Sequence, residues 1–230
     1  MNAPTLVSAI IPAYNEAAIL PATVAALRAV PGIHEVVVVD DGSTDETAAL
    51  ARGLGCRVVQ LGRNRGKGAA LAAGVAAAAG QVLLLLDADL GPSAREAGRL
   101  LSPILAGEAD MVIGRLPPAR GPGGFGLVKA LAGAGIRWLT GLSLAAPLSG
   151  QRAVRREVLA ALPGLAGGFG VEVGLTIDAA RAGFRVVEVP VAMEHRETGR
   201  DMAGFWHRGR QLWHVAGALA RRVGRPAGRR

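Results

Sequence analysis

Short apolar runs alternate with helical patterns along the first half of the chain, and this alternation limits the folds open to it. Each run is rich in β-branched or leucine side chains, and apolar residues at helical spacing lie between the runs. Strands that alternate with helices form a mostly parallel α/β sheet flanked by helices, with right-handed connections. We therefore predict a Rossmann-like α/β fold. The predicted strands are residues 7–11, 36–39, 57–60, 82–86 and 111–113.

The pattern changes after residue 116, where prolines and glycines interrupt the chain. Further elements follow this stretch, and no internal repeat or convincing linker separates them. We predict one α/β domain over residues 1–200, with a basic C-terminal helix and tail over residues 201–230. The later predicted elements are a helix at 125–142, a helix at 172–182, a strand at 186–191 and a helix at 201–222.

Length and composition favour a single soluble domain. The chain has 230 residues, which suits one continuous core and is short for two. Its single cysteine, Cys56, excludes an intramolecular disulfide and a cysteine-based zinc cluster, and it fits a reducing compartment. Residues 1–6 carry no basic side chain, and Gly80-Gln81 divides the longest uncharged stretch. We therefore predict no signal peptide and no transmembrane span, and we expect a cytoplasmic protein.

The net charge of +8 is unevenly distributed. No acidic residue follows Asp201, whereas arginines continue to the end of the chain. A basic surface favours anionic partners, among which a sugar nucleotide, a phosphorylated acceptor and an anionic membrane surface stay open. Nucleic acid is disfavoured, because the sequence contains no recognition motif for it. The alternative interpretation of the C-terminal arginines is a solvated tail.

The most informative polar cluster is Asp87-Ala88-Asp89, which directly follows the apolar run at residues 82–86. Side chains at positions i and i+2 of an extended segment point the same way, so both carboxylates are expected in one cleft. Ligands of open α/β sheets bind beyond the carboxyl ends of the strands. Two hard oxygen ligands there suit a divalent cation shared with a diphosphate. The alternative is an acidic end of a strand that faces water.

Other polar clusters follow the other predicted strands and are expected at the same edge of the sheet. Glycines around Lys67 open a helix whose free backbone N–H groups can bind an anion. A simpler interpretation of part of this pattern is helix capping, since Ser43-x-x-Glu46 and Ser93-x-x-Glu96 match the capping box. These clusters span residues 12–16, 40–45 and 64–69.

Taken together, the clusters at residues 11–16, 39–45, 65–68 and 86–89 closely resemble the signatures of family 2 inverting glycosyltransferases with the GT-A fold. The resemblance covers about residues 5–115. It implies a nucleoside-diphosphate-sugar donor, such as a UDP- or GDP-hexose, and a Mg²⁺ or Mn²⁺ ion held by Asp89 against the diphosphate. The residues that it implies for donor nucleotide binding are Pro12, Tyr14, Glu16, Asp41, Lys67 and Asp87.

The second half resembles two subgroups of this family. Residues 147–151, 168–175 and 194–196 are similar to segments of glucosyl-3-phosphoglycerate synthases, which implies His195 as a further metal ligand. Residues 149–153 are similar to the acceptor loop of polyprenyl-phosphate hexosyltransferases, but the aspartate that typically precedes this loop is absent here. The acceptor, a small phosphorylated molecule or a lipid phosphate, therefore stays open. The candidate acceptor residues are Ser149, Gly150, Gln151 and Arg115.

Glu172 is the candidate catalytic base, by its position and by the resemblance. An inverting transfer to a hydroxyl needs a base, whereas an acceptor that is already a phosphate needs little or none. The metal ion at Asp89 would neutralise the leaving diphosphate. The alternative for Glu172 is an acid at a helix N-terminus, where the helix dipole favours it by about 0.3–1 kcal/mol.

Two other functional classes stay open at this point. A sugar-nucleotide nucleotidyltransferase would need a glycine-rich phosphate loop with a basic residue after the first strand, where this chain has Ala13-Tyr14-Asn15-Glu16. A non-catalytic module that binds the inner face of the membrane is the second alternative. It rests on the aromatic and arginine-rich helix after Asp201, which Trp138 and Leu139 could join.

Overall fold

The computed structural model describes residues 5–117, 126–162, 164, 170–194 and 215–223. A seven-stranded sheet with the order β3-β2-β1-β4-β6-β5-β7 forms the centre of the fold. The strands are β1 Val7–Ala13, β2 Ile33–Asp40, β3 Arg57–Gln60, β4 Val82–Leu85, β5 Met111–Arg115, β6 Arg152–Arg155 and β7 Val186–Pro190. The α-helices are α1 Leu20–Arg28, α2 Thr47–Gly53, α3 Lys67–Ala77, α4 Ala97–Leu105, α5 Gly126–Thr140, α6 Arg156–Ala161 and α7 Val171–Arg181.

The sheet is mostly parallel, as the alternating pattern predicts. Strands β1 to β4 pair in parallel, and β5 pairs in parallel with β7. Strand β6 lies between β4 and β5 and runs antiparallel to both. The sequence analysis did not predict β6, because its residues, Arg-Ala-Val-Arg, are few and half of them are charged.

Apolar side chains cover both faces of the sheet. Along β1, Ala9 and Ile11 belong to one core cluster and the intervening Ile10 belongs to the cluster on the other face. All residues of β4 are buried, which explains its uninterrupted leucine-rich sequence. Full burial of a Leu or Ile side chain contributes about 1.5–3 kcal/mol, so this strand anchors the polar segment that follows it.

The described C-terminal residues pack against the domain. Val215 lies in an apolar cluster with Ile136 of α5 and Ile177 of α7. The buried Arg222 guanidinium donates to the Asp178 carboxylate, with Nε 2.7 Å from Oδ1. The predicted boundary between residues 200 and 201 lies outside the described residues and stays a prediction. Within the described ranges, no helix combines the length and apolarity that a membrane crossing needs.

Candidate active site

The loops after β1 and β2 are joined by hydrogen bonds between them. Asn15 has a positive φ of 56°, and its backbone N–H donates to Ser43 Oγ at 2.9 Å. The Asn15 side-chain oxygen accepts the N–H of Thr44 at 2.8 Å, and the N–H of Glu16 donates to Thr47 Oγ1 at 2.9 Å. The donor-binding candidates Pro12, Tyr14 and Glu16 therefore lie on a segment that the second loop holds in place.

These contacts correct the capping-box interpretation. Helix α2 begins at Thr47, and Ser43 bonds to the neighbouring loop instead of capping a helix that starts beside it. The Ser93 hydroxyl donates to the carbonyl of Leu90 at 2.7 Å within a 3-10 segment, Ala88–Glu96. Both capping-box predictions are wrong, because the Ser43 hydroxyl accepts the N–H of Asn15 and the Ser93 hydroxyl accepts the N–H of Glu194 at 3.0 Å.

Asp41 connects the end of β2 to the start of α3. The residue is 4% exposed, and its two carboxylate oxygens accept the backbone N–H groups of Arg65 and Gly66, each at 2.8 Å. Gly66 has a φ of 85°, a conformation that favours glycine, and α3 begins at the next residue. Asp41 thereby fixes the orientation of a helix N-terminus, which is a favourable site for anions.

Lys67, the first residue of α3, bridges two carboxylates. Its Nζ lies 2.6 Å from Asp87 Oδ1 and 3.2 Å from Glu172 Oε1, and a quarter of its side chain is exposed. Although burial alone would lower it, the Asp87 and Glu172 carboxylates raise the pKa of Lys67 above its usual value. Glu172 lies in the first turn of α7 and is 8% exposed. The ammonium group is thus held charged between the end of β4 and α7.

Gln151 attaches the predicted acceptor segment to Asp87. Its Nε2 donates to Asp87 Oδ2 at 2.6 Å, and its Oε1 accepts the backbone N–H of Asp87 at 3.2 Å. The neighbouring Gly150 has no room for a side chain, since an added Cβ would lie 2.5 Å from Lys67 Nζ and 3.2 Å from Asp87 Oδ2. A side chain at position 150 would therefore displace the Lys67 ammonium from its place beside Asp87.

A cavity of about 920 Å³ opens beside this ion-paired cluster. Lys67, Asp87 and Glu172 line it together with three of the acceptor candidates, Arg115, Ser149 and Gly150. Arg99 and Lys129 add further cationic groups, whereas most of the remaining wall is apolar. Gln151, Asp89 and the candidates Pro12, Tyr14, Glu16 and Asp41 are not among the lining residues. Gln151 reaches the cluster through Asp87, and the last four lie at the ends of β1 and β2.

The geometry at Asp87 and Asp89 differs from the strand alternation that the sequence analysis assumed. Strand β4 ends at Leu85, Asp87 is extended, and Asp89 lies in the first turn of the 3-10 segment. The argument from positions i and i+2 of a strand therefore does not apply, and of the two carboxylates only Asp87 lines the cavity.

The residues at this edge fit a divalent cation that is shared with a substrate. Among the residues that the structure describes, no group of three or more His, Cys, Asp or Glu side chains could hold a metal ion by itself. His195, the further predicted ligand, lies outside the described residues. Asp89 supplies hard oxygen, and Mg²⁺ characteristically takes one or two carboxylates together with substrate phosphates. Since Asp87 is engaged by Lys67 and Gln151, a cation at Asp89 would need the oxygens of a bound diphosphate to complete its coordination.

Sequence reasoning missed Glu188, which holds the segment before Ser149. Its Oε2 accepts the N–H of Ala145 at 2.8 Å and its Oε1 accepts the N–H of Ala146 at 2.6 Å. Both alanines line the cavity. A single acid in the otherwise apolar strand at residues 186–191 was the signal that could have identified Glu188.

Sequence reasoning also missed the role of Arg152, which is fully buried. Its Nε donates to the Ser149 carbonyl and its Nη1 to Thr176 Oγ1, both at 2.9 Å. Within the described part of the chain, Nη2 has no hydrogen-bond partner. Burial lowers the pKa of Arg152 to about 10, while the Glu172 and Glu188 carboxylates act in the opposite direction. Arg152 connects the acceptor segment to α7 beside Glu172.

Comparison with known proteins gives consistent matches. The sequence profile of the family described as "Glycosyl transferase family 2" matches residues 8–146. An uncharacterized glycosyltransferase of Mycobacterium tuberculosis is 33% identical over 198 residues, covering 85% of this chain and 88% of the relative. Polyprenol monophosphomannose synthase of Mycolicibacterium smegmatis is 36% identical over 208 residues, covering 83% of this chain and 78% of the relative.

A solved structure is similar over almost the whole chain. Glucosyl-3-phosphoglycerate synthase from Mycobacterium tuberculosis, in complex with Mn²⁺, uridine diphosphate and phosphoglyceric acid, superposes with a TM-score of 0.81 at 32% identity. The match covers 96% of this chain and 80% of that chain. With 96% of the chain covered, this likeness extends past residue 146 into the half of the molecule that carries Ser149, Gly150 and Gln151.

Proposed function

Since the chain belongs to glycosyl transferase family 2 and has the GT-A fold, we propose that it transfers a hexose, with inversion, from a nucleoside-diphosphate sugar to a phosphate-bearing acceptor. The observation that carries this proposal is the ion-paired set Asp87–Lys67–Glu172 beside the 920 Å³ cavity. Asp87 follows the buried strand β4, and Lys67 and Glu172 lie in the first turns of α3 and α7. This is the edge of the sheet at which ligands of α/β proteins bind. Family membership removes the basis for the nucleotidyltransferase alternative.

On the donor side, we propose that Pro12, Tyr14, Glu16 and Asp41 hold the base and ribose. Asp41 has a double role, since its carboxylate also positions the N-terminus of α3 through Arg65 and Gly66. Lys67 follows at once and is kept charged by its two carboxylate neighbours. The free N–H groups at the start of α3 favour the diphosphate, while Lys67, paired with Asp87 and Glu172, holds this helix start beside the end of β4.

Asp89 is the proposed ligand of a Mg²⁺ or Mn²⁺ ion, with His195 as a further ligand and Asp87 close by. The solved complex of a relative with Mn²⁺ and uridine diphosphate supports this assignment. When bound, the ion supplies Lewis-acid neutralisation of the leaving diphosphate. Asp87 itself binds Lys67 and Gln151, so its proposed role is to orient those two side chains.

On the acceptor side, a lipid phosphate such as polyprenyl phosphate fits the cavity best. Apolar side chains that include Leu116, Val128 and Leu148 line much of its wall, which an isoprenoid chain would cover. Arg115 lines the same cavity and would receive the phosphate. The polyprenol monophosphomannose synthase relative supports this acceptor class. The cytoplasmic location, at the inner face of the membrane, stays part of the proposal.

A small phosphorylated acceptor is the second candidate. It is supported by the relative that was crystallised with phosphoglyceric acid, and by the cationic Arg99 and Lys129 along the cavity. In both cases Ser149, Gly150 and Gln151 form the acceptor side of the cluster. Glu172 would act as a base only toward a hydroxyl acceptor, because an ionised phosphate needs none. With a phosphate, its proposed role is to position Lys67.

The test combines UDP- and GDP-hexoses with polyprenyl phosphate and 3-phosphoglycerate as acceptors, with Mg²⁺ or Mn²⁺ present. We expect metal-dependent release of the nucleoside diphosphate. Asp89→Asn should lower that rate at least about 100-fold, because metal charge stabilisation is worth several kcal/mol and about 1.4 kcal/mol changes a rate tenfold.

Glu108→Gln is the matched control, since Glu108 is exposed and does not line the cavity. It should keep the wild-type rate. If the wild type neither binds nor turns over any sugar nucleotide of the panel, the proposed function is wrong. If Asp89→Asn kept the wild-type rate and the wild-type dependence on added metal, the metal assignment alone would be rejected.

A further inference from the structure

Helix α5 is apolar on two opposite sides. Its inner side contributes the buried residues Val128, Ala132 and Ile136 to the cluster with α7. Its outer side carries Leu127 and Trp138, each 73% exposed. A helix at the surface of a globular protein ordinarily turns charged or polar residues outward. The outer side of α5 therefore has no explanation in the packing of the described chain.

The exposed apolar residues form one continuous stripe. Positions 127, 130, 134 and 138 follow the spacing that brings side chains onto the same side of a helix. Ala130 and Ala134 are exposed between Leu127 and Trp138. We call these four residues the outer stripe of α5. A contiguous exposed apolar surface of this kind marks an interaction site.

The charged residue beside Trp138 in the outer stripe is a cation. Arg137 is exposed beside Trp138, and both residues line a groove of about 440 Å³ between α5 and Ser143. No Asp or Glu occurs in the sequence between Asp110 and Glu157, so α5 and its flanking segments carry cations only. An apolar stripe with an exposed arginine at its edge complements an anionic lipid surface, where Trp is enriched at the level of the headgroups.

We propose that the outer stripe of α5 docks on the surface of an anionic lipid bilayer, with Leu127 and Trp138 inserted among the headgroups. The inner side of the same helix meets the candidate active site, because Val128 and Lys129 line the 920 Å³ cavity. Docking would hold one wall of that cavity at the membrane. The placing of the cavity at the membrane serves the proposed function and rests on it, whereas docking itself can be measured without catalysis.

Vesicle flotation of the full-length protein tests the docking. We expect the wild type to float with vesicles of phosphatidylcholine and phosphatidylglycerol, and to float less with pure phosphatidylcholine or at high salt. The double variant Leu127→Ser/Trp138→Ser should reduce the bound fraction about tenfold or more, since it removes the apolar side chains that enter the bilayer. Leu105→Ser is the matched control, because Leu105 is also apolar and 52% exposed but lies on α4.

Thermal unfolding and uridine diphosphate binding of each variant establish that the fold is retained. The docking proposal is overturned if the wild type does not float, or if the double variant floats as well as the wild type. A double variant that floats normally but changes from dimer to monomer in light scattering would assign the stripe to a second copy of the chain instead.

Loss of flotation with normal turnover of a short, water-soluble acceptor would support docking. Normal flotation without sugar-nucleotide turnover would contradict only the proposed function.

Discussion

The donor side and the acceptor side of the site are built in different ways. On the donor side, residues that follow β1 and β2 bond to each other and to the start of α3 through backbone N–H groups. On the acceptor side, the segment at residues 145–151 depends on side chains that lie far away in the sequence. Glu188 is 42 and 43 residues from its partners, and Gln151 is 64 residues from Asp87.

We call the bonded loops after β1 and β2, together with the start of α3, the platform. We call the segment at residues 145–151 the wall, and we infer that the platform is preformed and the wall adjustable. The bonded partners of the donor side lie 24–29 residues apart in the sequence, against 42–64 on the acceptor side. Because the donor-side loops are already bonded to each other, we expect nucleotide binding to require little reorganisation. The acceptor wall can change with single side chains while the platform stays intact. We therefore expect substitutions on the donor side to affect every substrate, and substitutions on the acceptor side to affect the acceptor selectively.

The largest effect is expected at Asp41 on the donor side. Asp41→Ala removes the acceptor of two N–H groups, those of Arg65 and Gly66. Hydrogen bonds to a charged group contribute about 1.5–3 kcal/mol each to stability. We expect about half of the combined loss to appear in nucleotide binding, so uridine diphosphate should bind about 10–100-fold more weakly. Isothermal titration calorimetry measures this affinity, and thermal unfolding reports the accompanying loss of stability.

Asp45→Ala is the informative comparison, since Asp45 also accepts backbone N–H groups, those of Ala17 and Thr47, but is exposed. Its effect on nucleotide affinity should be several-fold smaller. Equal affinity of Asp41→Ala and wild type would show that the N-terminus of α3 does not need this carboxylate, and would remove the proposed difference between the two sides.

The same contrast explains which parts of the molecule the sequence could predict. The hydrophobic pattern predicts the strands of the donor side and their order along the chain, and one uninterrupted apolar run predicts β4. The polar clusters stand directly after these runs in the sequence. Strand β6 could not be found this way, because Arg152 is buried through partners on α7 and in the preceding loop. Propensity and pattern carry no information about such distant partners.

Local signals also misled where a tertiary contact competed with them. Ser43 matches a capping box, yet its hydroxyl accepts from Asn15. Asp87 and Asp89 were expected to share a strand, but the chain turns into a 3-10 segment between them. Glu188 was missed because its partners, the N–H groups of Ala145 and Ala146, have no sequence signature. Most of the fold and the position of the polar clusters at the ends of β1 and β2 were predictable, whereas the hydrogen bonds that build the acceptor wall were not.

A smaller effect is expected at Gln151, where the two sides meet. Gln151→Glu would place a second carboxylate beside Asp87, in contact with the Lys67 pair. Like charges at this distance repel, so kcat should fall about tenfold at pH 8. Because one shared proton would restore a hydrogen bond between the two carboxyl groups, the ratio of variant to wild-type kcat should rise as the pH is lowered.

A pH-independent ratio would contradict this account of Gln151. Gln60→Glu is the matched control, since the Gln60 amide donates to Asp40 at 3.2 Å, outside the cavity. It introduces the same charge beside a carboxylate that the proposed mechanism does not use. The effect of Gln60→Glu on kcat should therefore be small at every pH, although the variant can have a lower free energy of unfolding.

The smallest effect is expected at Glu188, and it is the one that most sharply tests the adjustable wall. In Glu188→Gln, one amide oxygen can still accept from Ala145 or Ala146, while the NH₂ group faces the other N–H. The segment should shift rather than unfold, which raises the acceptor KM about three- to tenfold and leaves the dissociation constant of the donor nucleotide unchanged.

Glu157→Gln on α6, where the carboxylate is exposed, should alter neither quantity. A change in nucleotide affinity equal to the change in acceptor KM would show that the platform and the wall are one cooperative unit, because Glu188 reaches the donor side only through the acceptor segment.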